Sequence, residues 1–584
     1  MNWEKKVKKS LRWSVITSLV FCVFVACGGE KNTTAVKGEV YPHRWMFVYD
    51  YSLLHADSSV SKLDSIARRA SASGLNGIAL LAQLDRLDIA GTEEITRLKR
   101  IKKICDGYGL EIVPIIWSVG YGGPLAQDKN LAAGFGVENA LLRVHDGIAT
   151  LEPDHQVGMR NGGFEKTAAG RPVDFSFKGE PGRVISLDST TAKEGRYSLR
   201  FEDFEQHLRD EAVVGQSIAV RPHRCYKLTC WVKASGLDEA RRYGQGWFRM
   251  QANAPDGREL QYINPKVPSD TEGWFKAQVA FNSAEYDEVK IALSLGGSKD
   301  GVLWVDELSI EEIALANILR RPGAPLKITS DSNGEIYVEG EDFQRVVDDQ
   351  LDHRFEHDGP PVRIIPEGHI SDGEKLRVSY YHSTMMNNHQ VSVCMSEPAL
   401  YELWQGQLEL IEQYIQPKNY ILDMDEVRMG GTCAACKSRG LSMARILGDC
   451  VTKQVKMIRA VNPESEIVVW SDMFDPNHNA GERSGNSYYY VPEEFTGSWN
   501  HIPKDLIVAC WYFDRRVKSL AHFDSLGFRT MACCAYGGRS SVDPRKWLET
   551  MATTSGACGA MHMTYHEHYD DIEEFADIIC RRKE

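Results

Sequence analysis

The chain has 584 residues, of which 43% are hydrophobic and 26% charged. This composition excludes a collagen-like or generally disordered chain, and the length predicts two or three domains rather than one core. The formal net charge is −13 and no basic stripe is present, which excludes nucleic acid as the expected partner.

The first 26 residues are not expected to belong to the fold. A basic stretch is followed by the apolar run Ser14 to Phe24 and then by Val25-Ala26-Cys27. This pattern resembles a bacterial lipoprotein signal peptide removed before Cys27. It implies a lipid anchor on Cys27, a polar tether over 27–40, and a cell-envelope location in the outer membrane that faces the periplasm or the medium. An uncleaved membrane anchor is disfavoured, because the apolar run is shorter than the ~20 residues that span a bilayer.

Short apolar strands alternate with amphipathic helices from residue 41 to about 150. The strands are expected at 44–50, 77–81 and 111–117, with helices at 59–73 and 93–108 between them. Such alternation is typical of parallel βαβ construction, so this segment is predicted to form the first part of a parallel barrel.

Residues 151–313 change to an all-β pattern of period-two runs separated by Gly, Asp and Asn turns. The motifs at 161–165, 194–201 and 301–306 resemble carbohydrate-binding modules of the family 4/9 type. The resemblance implies an inserted jelly-roll sandwich, with sugar binding and a purely structural role both left open. In relatives the opening Glu and the closing Asp hold a structural calcium, which implies Glu165 and Asp306 here. Two carboxylates supply too few of the oxygens that Ca²⁺ requires.

The segment 314–396 is predicted to be a connecting region of hairpins and loops, and its strand at 376–382 is assigned outside the barrel. Alternation resumes over 397–584 with five more strands. The eight strands together predict an α/β fold, a (β/α)₈ TIM barrel interrupted after strand 3 by the inserted sandwich.

The stretch Asn419 to Cys436 carries the strongest functional signal. An apolar strand ends there in Asp423, Asp425 and Glu426. Acids at the carboxyl end of a parallel barrel strand lie where such barrels place active sites, so a hydrolase site is expected. A structural alternative is that Asp425 or Glu426 caps a loop or pairs with Arg428. Because Asp423 shares a face with Asp425 and lies deeper, it is predicted to have a supporting, hydrogen-bonding role behind the site.

The later strands also end in groups suited to a sugar ring. Aromatic faces cover the C–H surface of a sugar, and carboxylates or His bind its hydroxyls. The predicted substrate-binding residues of these strands are Trp470, Asp472, Trp511, Tyr512, Tyr536, His566 and Glu567.

The Asp425-Glu426 pair, the following Trp470 with Asp472, and the pattern GLEIVPIIWSVGYGG together resemble family 20 β-N-acetylhexosaminidases. The resemblance implies that Asp425 orients the substrate's acetamido group, whose oxygen attacks the anomeric carbon, and that Glu426 protonates the leaving oxygen, with retention and no cofactor. Arg44 matches the arginine that binds sugar hydroxyls. The family's His-x-Gly-Gly before the pair is replaced here by Leu422-Asp423-Met424.

Two other functions stay open beside retaining hydrolysis of terminal β-N-acetylhexosaminides in an oligo- or polysaccharide. Glu426 could act as the acid while Glu567 is a direct nucleophile on a sugar without an acetamido group. The chain could also be a glycan-binding lipoprotein without catalysis.

The motif Cys433-x-x-Cys436 permits a zinc site completed by Cys450 or a distant His, although a loop disulfide or free thiols are favoured in an envelope compartment.

Overall fold

The computed structural model of the chain describes residues 41–178, 184–202, 213–237, 248–261, 263–295, 300–386, 390–481, 491, 494–536, 543–565 and 568–580. Within these ranges no helix is both long and apolar enough to cross a membrane. The predicted signal peptide, the tether and Cys27 lie outside the described residues.

The first described part alternates strands and helices as predicted. Its elements are β1 (His43–Tyr49), α1 (Asp57–Ala72), β2 (Gly77–Leu81), α2 (Thr92–Gly107) and β3 (Glu111–Ile116). The helices bury only one face each, at positions such as Leu63, Ile66 and Ala70 of α1. This spacing is the amphipathic pattern that packs a helix against a sheet.

In the middle part of the chain, the described residues from 135 to 382 form strands as their regular elements. They are β4 (Phe135–His145), β5 (Ile148–Leu151), β6 (Thr167–Ala168), β7 (Arg171–Pro172), β8 (Ser176–Lys178), β9 (Ile185–Asp188), β10 (Ser198–Phe201), β11 (Val213–Ala219), β12 (Cys225–Ser235), β13 (Phe248–Asn253), β14 (Phe275–Asn282), β15 (Glu288–Leu295), β16 (Val302–Ile313), β17 (Lys327–Ser330), β18 (Ile336–Tyr337), β19 (Val362–Arg363) and β20 (Lys375–His382).

The last part returns to alternation. Its elements are α3 (Pro398–Tyr414), β21 (Asn419–Leu422), α4 (Ala434–Lys437), α5 (Met443–Val461), β22 (Glu466–Trp470), β23 (Ile507–Cys510), α6 (Arg516–Ser525), β24 (Arg529–Tyr536), α7 (Pro544–Met551), β25 (Ala557–Thr564) and α8 (Ile572–Cys580). Short 3-10 helices lie in the connections at Leu84–Ile89, Gly123–Ala126, Lys129–Leu131, Asp472–Phe474, Ser498–Asn500 and Phe513–Arg515.

Eight strands close into one parallel barrel in the order β1, β2, β3, β21, β22, β23, β24, β25. Closure comes from the parallel pairing of β1 with β25, for example Trp45 beside Met561. The barrel interior is filled by buried apolar side chains such as Phe47, Val113 and Ile421. A closed eight-stranded parallel barrel accompanied by antiparallel sheets is therefore confirmed. Three of its strands precede β4 to β20 in the chain and five follow them.

The strands between β3 and β21 in the chain build the antiparallel sheets. One sheet of five strands has the order β14, β12, β16, β10, β9, and a sheet of four has the order β13, β15, β11, β8. These two sheets share one apolar core that includes Phe201, Leu228 and Ile291.

A third antiparallel sheet has six strands in the order β18, β17, β20, β4, β5, β19. It contains the strand predicted at 376–382, which therefore lies outside the barrel. It also contains β4 and β5, which precede residue 152 and so lie in the segment that was predicted to form the first part of the barrel. Because β4 pairs with β20 across more than two hundred residues, only long-range pairing reveals this sheet.

Candidate functional site

The three acids after β21 are fixed by the loop that follows β3. The backbone N–H of Asp423 donates to the carbonyl of Ile116 at 2.9 Å, and its carbonyl accepts the N–H of Val119 at 3.1 Å. A Cβ on Gly120 would lie 2.3 Å from the carbonyl oxygen of Asp425. The loop after β3 and the loop after β21 therefore lie in direct backbone contact at Gly120, and a residue with a side chain would not fit there.

Asp423 and Asp425 form a carboxyl pair at the carboxyl end of the barrel. Asp423 is buried and accepts a hydrogen bond from the indole N–H of Trp470 at 3.1 Å. Burial, followed by the charges of Asp423, Asp472 and Glu426, raises the pKa of Asp425 well above its usual range, and Asp425 hydrogen-bonds Asp423. Burial also raises the pKa of Asp423, and two adjacent carboxylates cannot both ionise at low cost, so loss of the last proton from the pair is disfavoured. Asp423 thus lies beside Asp425, and its supporting role stays a prediction.

Glu426 gathers three donors on one oxygen. Its Oε2 accepts from the Tyr121 hydroxyl at 2.5 Å and from Gln390 Nε2 at 2.8 Å, and it pairs with the Arg428 guanidinium at 2.8 Å. Glu426 also has a left-handed backbone, with φ of +46°. A non-glycine residue in this region stores roughly 1–3 kcal/mol, which neighbouring contacts must offset, and such strain is common in functional sites.

Asp472 fixes the backbone of Glu426 by a hydrogen bond. Its side chain is fully buried, and its Oδ2 accepts the backbone N–H of Glu426 at 2.9 Å and Asn479 Nδ2 at 2.8 Å. Its Oδ1 accepts the indole N–H of Trp511 at 3.4 Å. Burial raises the pKa of Asp472 to about 7. Although it was predicted to bind sugar, Asp472 faces protein groups and positions Glu426 and Trp511.

Aromatic rings surround the carboxylate cluster, which we define as Asp423, Asp425, Glu426 and Asp472. Tyr51, Tyr121 and Tyr565 are 43%, 39% and 47% exposed, so each presents a ring face to solvent. The Tyr565 ring lies 5.5 Å from that of Phe47 inside the barrel. Such half-exposed rings can cover the apolar face of a sugar.

Trp511 and Tyr512 are held by a turn that follows β22. The His478 ring lies 4.3 Å from Trp511 and 4.5 Å from Tyr512. Burial lowers the pKa of His478 to about 4, so its ring is neutral at pH 7. The turn containing His478 and Asn479 thus supplies two of the groups that fix this side of the site.

Several predicted site residues are not placed beside the carboxylate cluster by the described structure. Arg44 lies near the amino end of β1, and its side chain donates to the carbonyls of Gly74 and Tyr41 at the opposite end of the barrel. Tyr536 ends β24, and its backbone pairs with Thr564, while nothing is described of its side chain. His566 and Glu567 lie outside the described residues.

The structure adds residues that the sequence analysis did not assign to the site. Tyr121 lies in a loop at a barrel strand end, so the rule that sites form there could have found it. Arg428 was named only in the structural alternative, and its ion pair with Glu426 is present. Gln390 comes from the long excursion between β3 and β21, where no local signal points to the site. Asp85 is buried near Asp423, and burial followed by the Asp423 charge raises its pKa to about 7.

The two residues assigned to calcium by resemblance are held by hydrogen-bond donors. Glu165 Oε1 accepts the backbone N–H groups of Arg196 and Tyr197 at 2.8 and 2.9 Å. Asp306 is fully buried, and both of its oxygens accept backbone N–H groups, the closest being those of Lys193 and Glu307 at 2.8 Å. Donors around both carboxylates do not fit Ca²⁺, which needs six to eight oxygens.

The outer face of the five-stranded sheet carries two half-buried tryptophans. The ammonium of Lys193 lies 4.9 Å from the ring centre of Trp231, and the guanidinium of Arg200 lies 5.6 Å from that of Trp304. These cation–π contacts occupy the faces that would stack on a sugar. Glycan binding here would require the basic side chains to move.

No family model matches this chain, and no curated protein matches it. Among solved structures, a family 61 carbohydrate-binding module in complex with β-1,4-galactotriose is 17% identical, covering 26% of this chain and 95% of that chain with a TM-score of 0.19. A CBM22 xylan-binding domain from Paenibacillus barcinonensis is 15% identical, covering 29% and 100%, with a TM-score of 0.19. A rhamnosidase from Novosphingobium sp. PP1Y is 9% identical, covering 92% of this chain and 58% of that chain, with a TM-score of 0.34. Scores this low carry no functional argument, and the family 20 resemblance stays a prediction.

Proposed function

We propose that this chain is a glycoside hydrolase whose active site is the carboxylate cluster. The observation that carries the proposal is the placement of a buried carboxyl pair, Asp423 with Asp425, whose pKa values are raised, beside Glu426, which three donors hold. Glycoside hydrolysis needs two carboxyl groups in different protonation states at one bond. The exposed rings of Tyr51, Tyr121 and Tyr565 provide surfaces for a sugar beside them.

The first candidate reaction is retaining, substrate-assisted hydrolysis of terminal β-N-acetylhexosaminides. In this reaction Glu426 enters protonated on Oε1, the oxygen that the three donors do not contact. The acetamido oxygen attacks the anomeric carbon, the bond to the leaving oxygen breaks, and Glu426 transfers its proton to the leaving oxygen. Moving the shared proton from Asp425 to Asp423 places a negative charge on Asp425, which stabilises the positive cyclic intermediate. Glu426 then takes a proton from water, which opens the intermediate with overall retention.

A second candidate is favoured by the ion pair between Glu426 and Arg428. Arg428 is buried, and its guanidinium holds Glu426 Oε2 at 2.8 Å, so the position of this carboxyl group is fixed as a direct nucleophile requires. Asp425 would then protonate the leaving oxygen. This arrangement acts on sugars without an acetamido group.

A panel of nitrophenyl glycosides with and without the acetamido group tests these proposals. Hydrolysis confined to the acetamido sugars, with strong inhibition by a thiazoline mimic of the cyclic intermediate, supports the first candidate. Turnover of both classes without thiazoline inhibition supports the second. If no glycoside is hydrolysed while glycans still bind, the chain is a non-catalytic glycan-binding lipoprotein.

We also propose the finer fold assignment, a TIM barrel interrupted after strand 3 by a jelly-roll sandwich. It is supported by the position of β4 to β20 between the third and fourth barrel strands and by the shared core of the five-stranded and four-stranded sheets. The anchor on Cys27 and the envelope location are proposed from the sequence pattern alone. Labelled palmitate incorporation, abolished by Cys27→Ser, tests the anchor.

A further inference from the structure

Three cysteines meet behind the active-site loops, and we call Cys394, Cys433 and Cys436 the cysteine cluster. All three are buried, with exposures of 1%, 1% and 4%, and all three are free thiols. The Sγ of Cys394 lies 3.3 Å from that of Cys433 and 3.8 Å from that of Cys436, and the three sulfurs lie within 4.8 Å of one another. In the part of the chain that the structure describes, no other group of His, Cys, Asp and Glu residues meets this spacing.

These distances agree with sulfur ligands around one ion. A zinc–sulfur bond of about 2.3 Å places the sulfurs of a tetrahedral site about 3.8 Å apart. A disulfide would need its two sulfurs at about 2.05 Å and would leave the third thiol beside it. One ion can satisfy three clustered sulfurs, whereas one disulfide uses only two of them.

Charged and polar neighbours complete the surroundings of the cluster. Three thiolates and Zn²⁺ together carry one negative charge, and the guanidinium of Arg321, whose side chain is 5% exposed, lies beside Cys394 and Cys433. Arg321 is itself fixed by Glu397, whose Oε2 accepts from its Nε at 2.9 Å. The Ser396 hydroxyl contacts Cys436 and accepts a hydrogen bond from Arg439 at 3.2 Å.

We propose that the cysteine cluster is a structural zinc site with three thiolate ligands and an oxygen in the fourth position. Cys394, which lies far from the Cys433-x-x-Cys436 motif in the chain, supplies the third sulfur. Cys450, the partner expected from the sequence, instead lies on α5 beside Tyr401. Soft thiolate ligands favour zinc over the oxygen-binding divalent cations.

The position of the site gives it a consequence for the active site. Cys394 follows Gln390 by four residues, and Cys433 follows Glu426 by seven. Between these ends, Ser392 Oγ accepts the backbone N–H of Met429 at 3.3 Å. Zinc would therefore hold the loop of Gln390 against the loop of Glu426. It would stabilise the hydrogen bond between these two side chains without contacting the substrate.

Metal analysis of the full chain, purified in detergent without chelator, tests the proposal independently of any glycosidase activity. We expect about one zinc per chain by elemental analysis and about three sulfurs at ~2.3 Å by X-ray absorption. Cys394→Ser, Cys433→Ser and Cys436→Ser should each lose zinc on dialysis. Cys450→Ser, which changes a buried cysteine outside the cluster, is the matched control and should keep it.

If the serine variants do not fold, cobalt substitution of the unaltered chain gives the second measurement. Thiolate-to-cobalt charge-transfer bands are expected, and chelation should lower the unfolding temperature. The proposal is overturned if peptide mapping finds a disulfide within the cluster. It is equally overturned if the reduced chain binds no zinc, binds a different metal such as copper instead, or keeps zinc when all three cysteines are replaced.

Discussion

Asp425→Asn is the substitution that most directly tests the substrate-assisted mechanism. The substitution keeps the size of the side chain, and burial together with the Asp423 charge raises the pKa of Asp425, which favours the neutral form that the amide imitates. The amide has the same shape, and its N–H₂ can still donate to Asp423. We therefore expect the free energy of unfolding at pH 7 to change by less than about 1 kcal/mol.

The kcat of Asp425→Asn, by contrast, should fall strongly. An amide cannot become negative when the cyclic intermediate develops its positive charge. Two unit charges ~4 Å apart interact by about 4 kcal/mol at an effective dielectric constant near 20, which corresponds to about a thousandfold in kcat. Asp423→Asn removes the acceptor of the proton but leaves Asp425 ionisable, so a smaller loss, on the order of tenfold, is expected.

The assay is steady-state hydrolysis of a nitrophenyl N-acetylhexosaminide, with urea unfolding as the control for folding. Thiazoline binding should weaken in Asp425→Asn by a factor similar to the loss in kcat, because both report the charge on residue 425. Turnover by this variant within tenfold of the wild type would refute the reasoning. A loss matched by the same loss of stability would show that the substitution damages the fold instead.

Four further predictions follow from the geometry. Glu426→Gln should slow substrates with poor leaving groups far more than nitrophenyl substrates, and equal losses on both would contradict an acid role. Burial raises the pKa of Asp472 from 3.8 to about 7, so the folded state binds this proton more tightly, and its contribution to stability is lost as pH rises from about 4 to about 7. Urea unfolding at several pH values should show that fall in the wild type and a flatter profile in Asp472→Asn, whereas parallel profiles would contradict it. Gly120→Ala should abolish activity while the chain stays folded, because the added Cβ displaces the Asp425 carbonyl, whereas Gly107→Ala on α2, with no atom within 4 Å of the new Cβ, should be active. Replacing 161–312 by a short Gly/Ser linker should leave a barrel that unfolds cooperatively in a calorimeter, because neither barrel core cluster contains a residue of that range; a broad, non-cooperative transition would contradict it.

The barrel strands and the position of the main acids could be predicted from the sequence because their signals are local. Apolar runs of four to eight residues identify β1, β2, β3 and β21 to β25, and the abrupt change from Leu422 to Asp423 marks a strand end. Parallel strands in a closed barrel point the same way, so these ends share one face of the barrel. Asp423, Asp425, Glu426 and Trp470 come together there for that reason.

Two partners of Glu426 and the third sulfur of the cysteine cluster were decided only by tertiary packing. Tyr121 and Gln390 reach Glu426 Oε2 from other connections of the chain, whereas Arg428, two residues from Glu426, was already named as a partner. Cys394 reaches Cys433 because backbone hydrogen bonds hold its loop against the connection that follows β3. The N–H of Val393 donates to the carbonyl of Val119, and that of Cys394 donates to the carbonyl of Leu131. No spacing in the chain encodes such contacts, since they depend on how the excursion between β3 and β21 folds back.

Arg44 is a second case in which the sequence identifies a residue's strand but not its role. Its place in β1 could be read from the sequence, but the end of the strand on which it lies decides its role. It is the second residue of β1, so its side chain stays at the amino end of the barrel with Gly74 and Tyr41. Residue type and strand membership are properties of the sequence, whereas the distance between a side chain and a reacting bond is set by the direction and closure of the barrel.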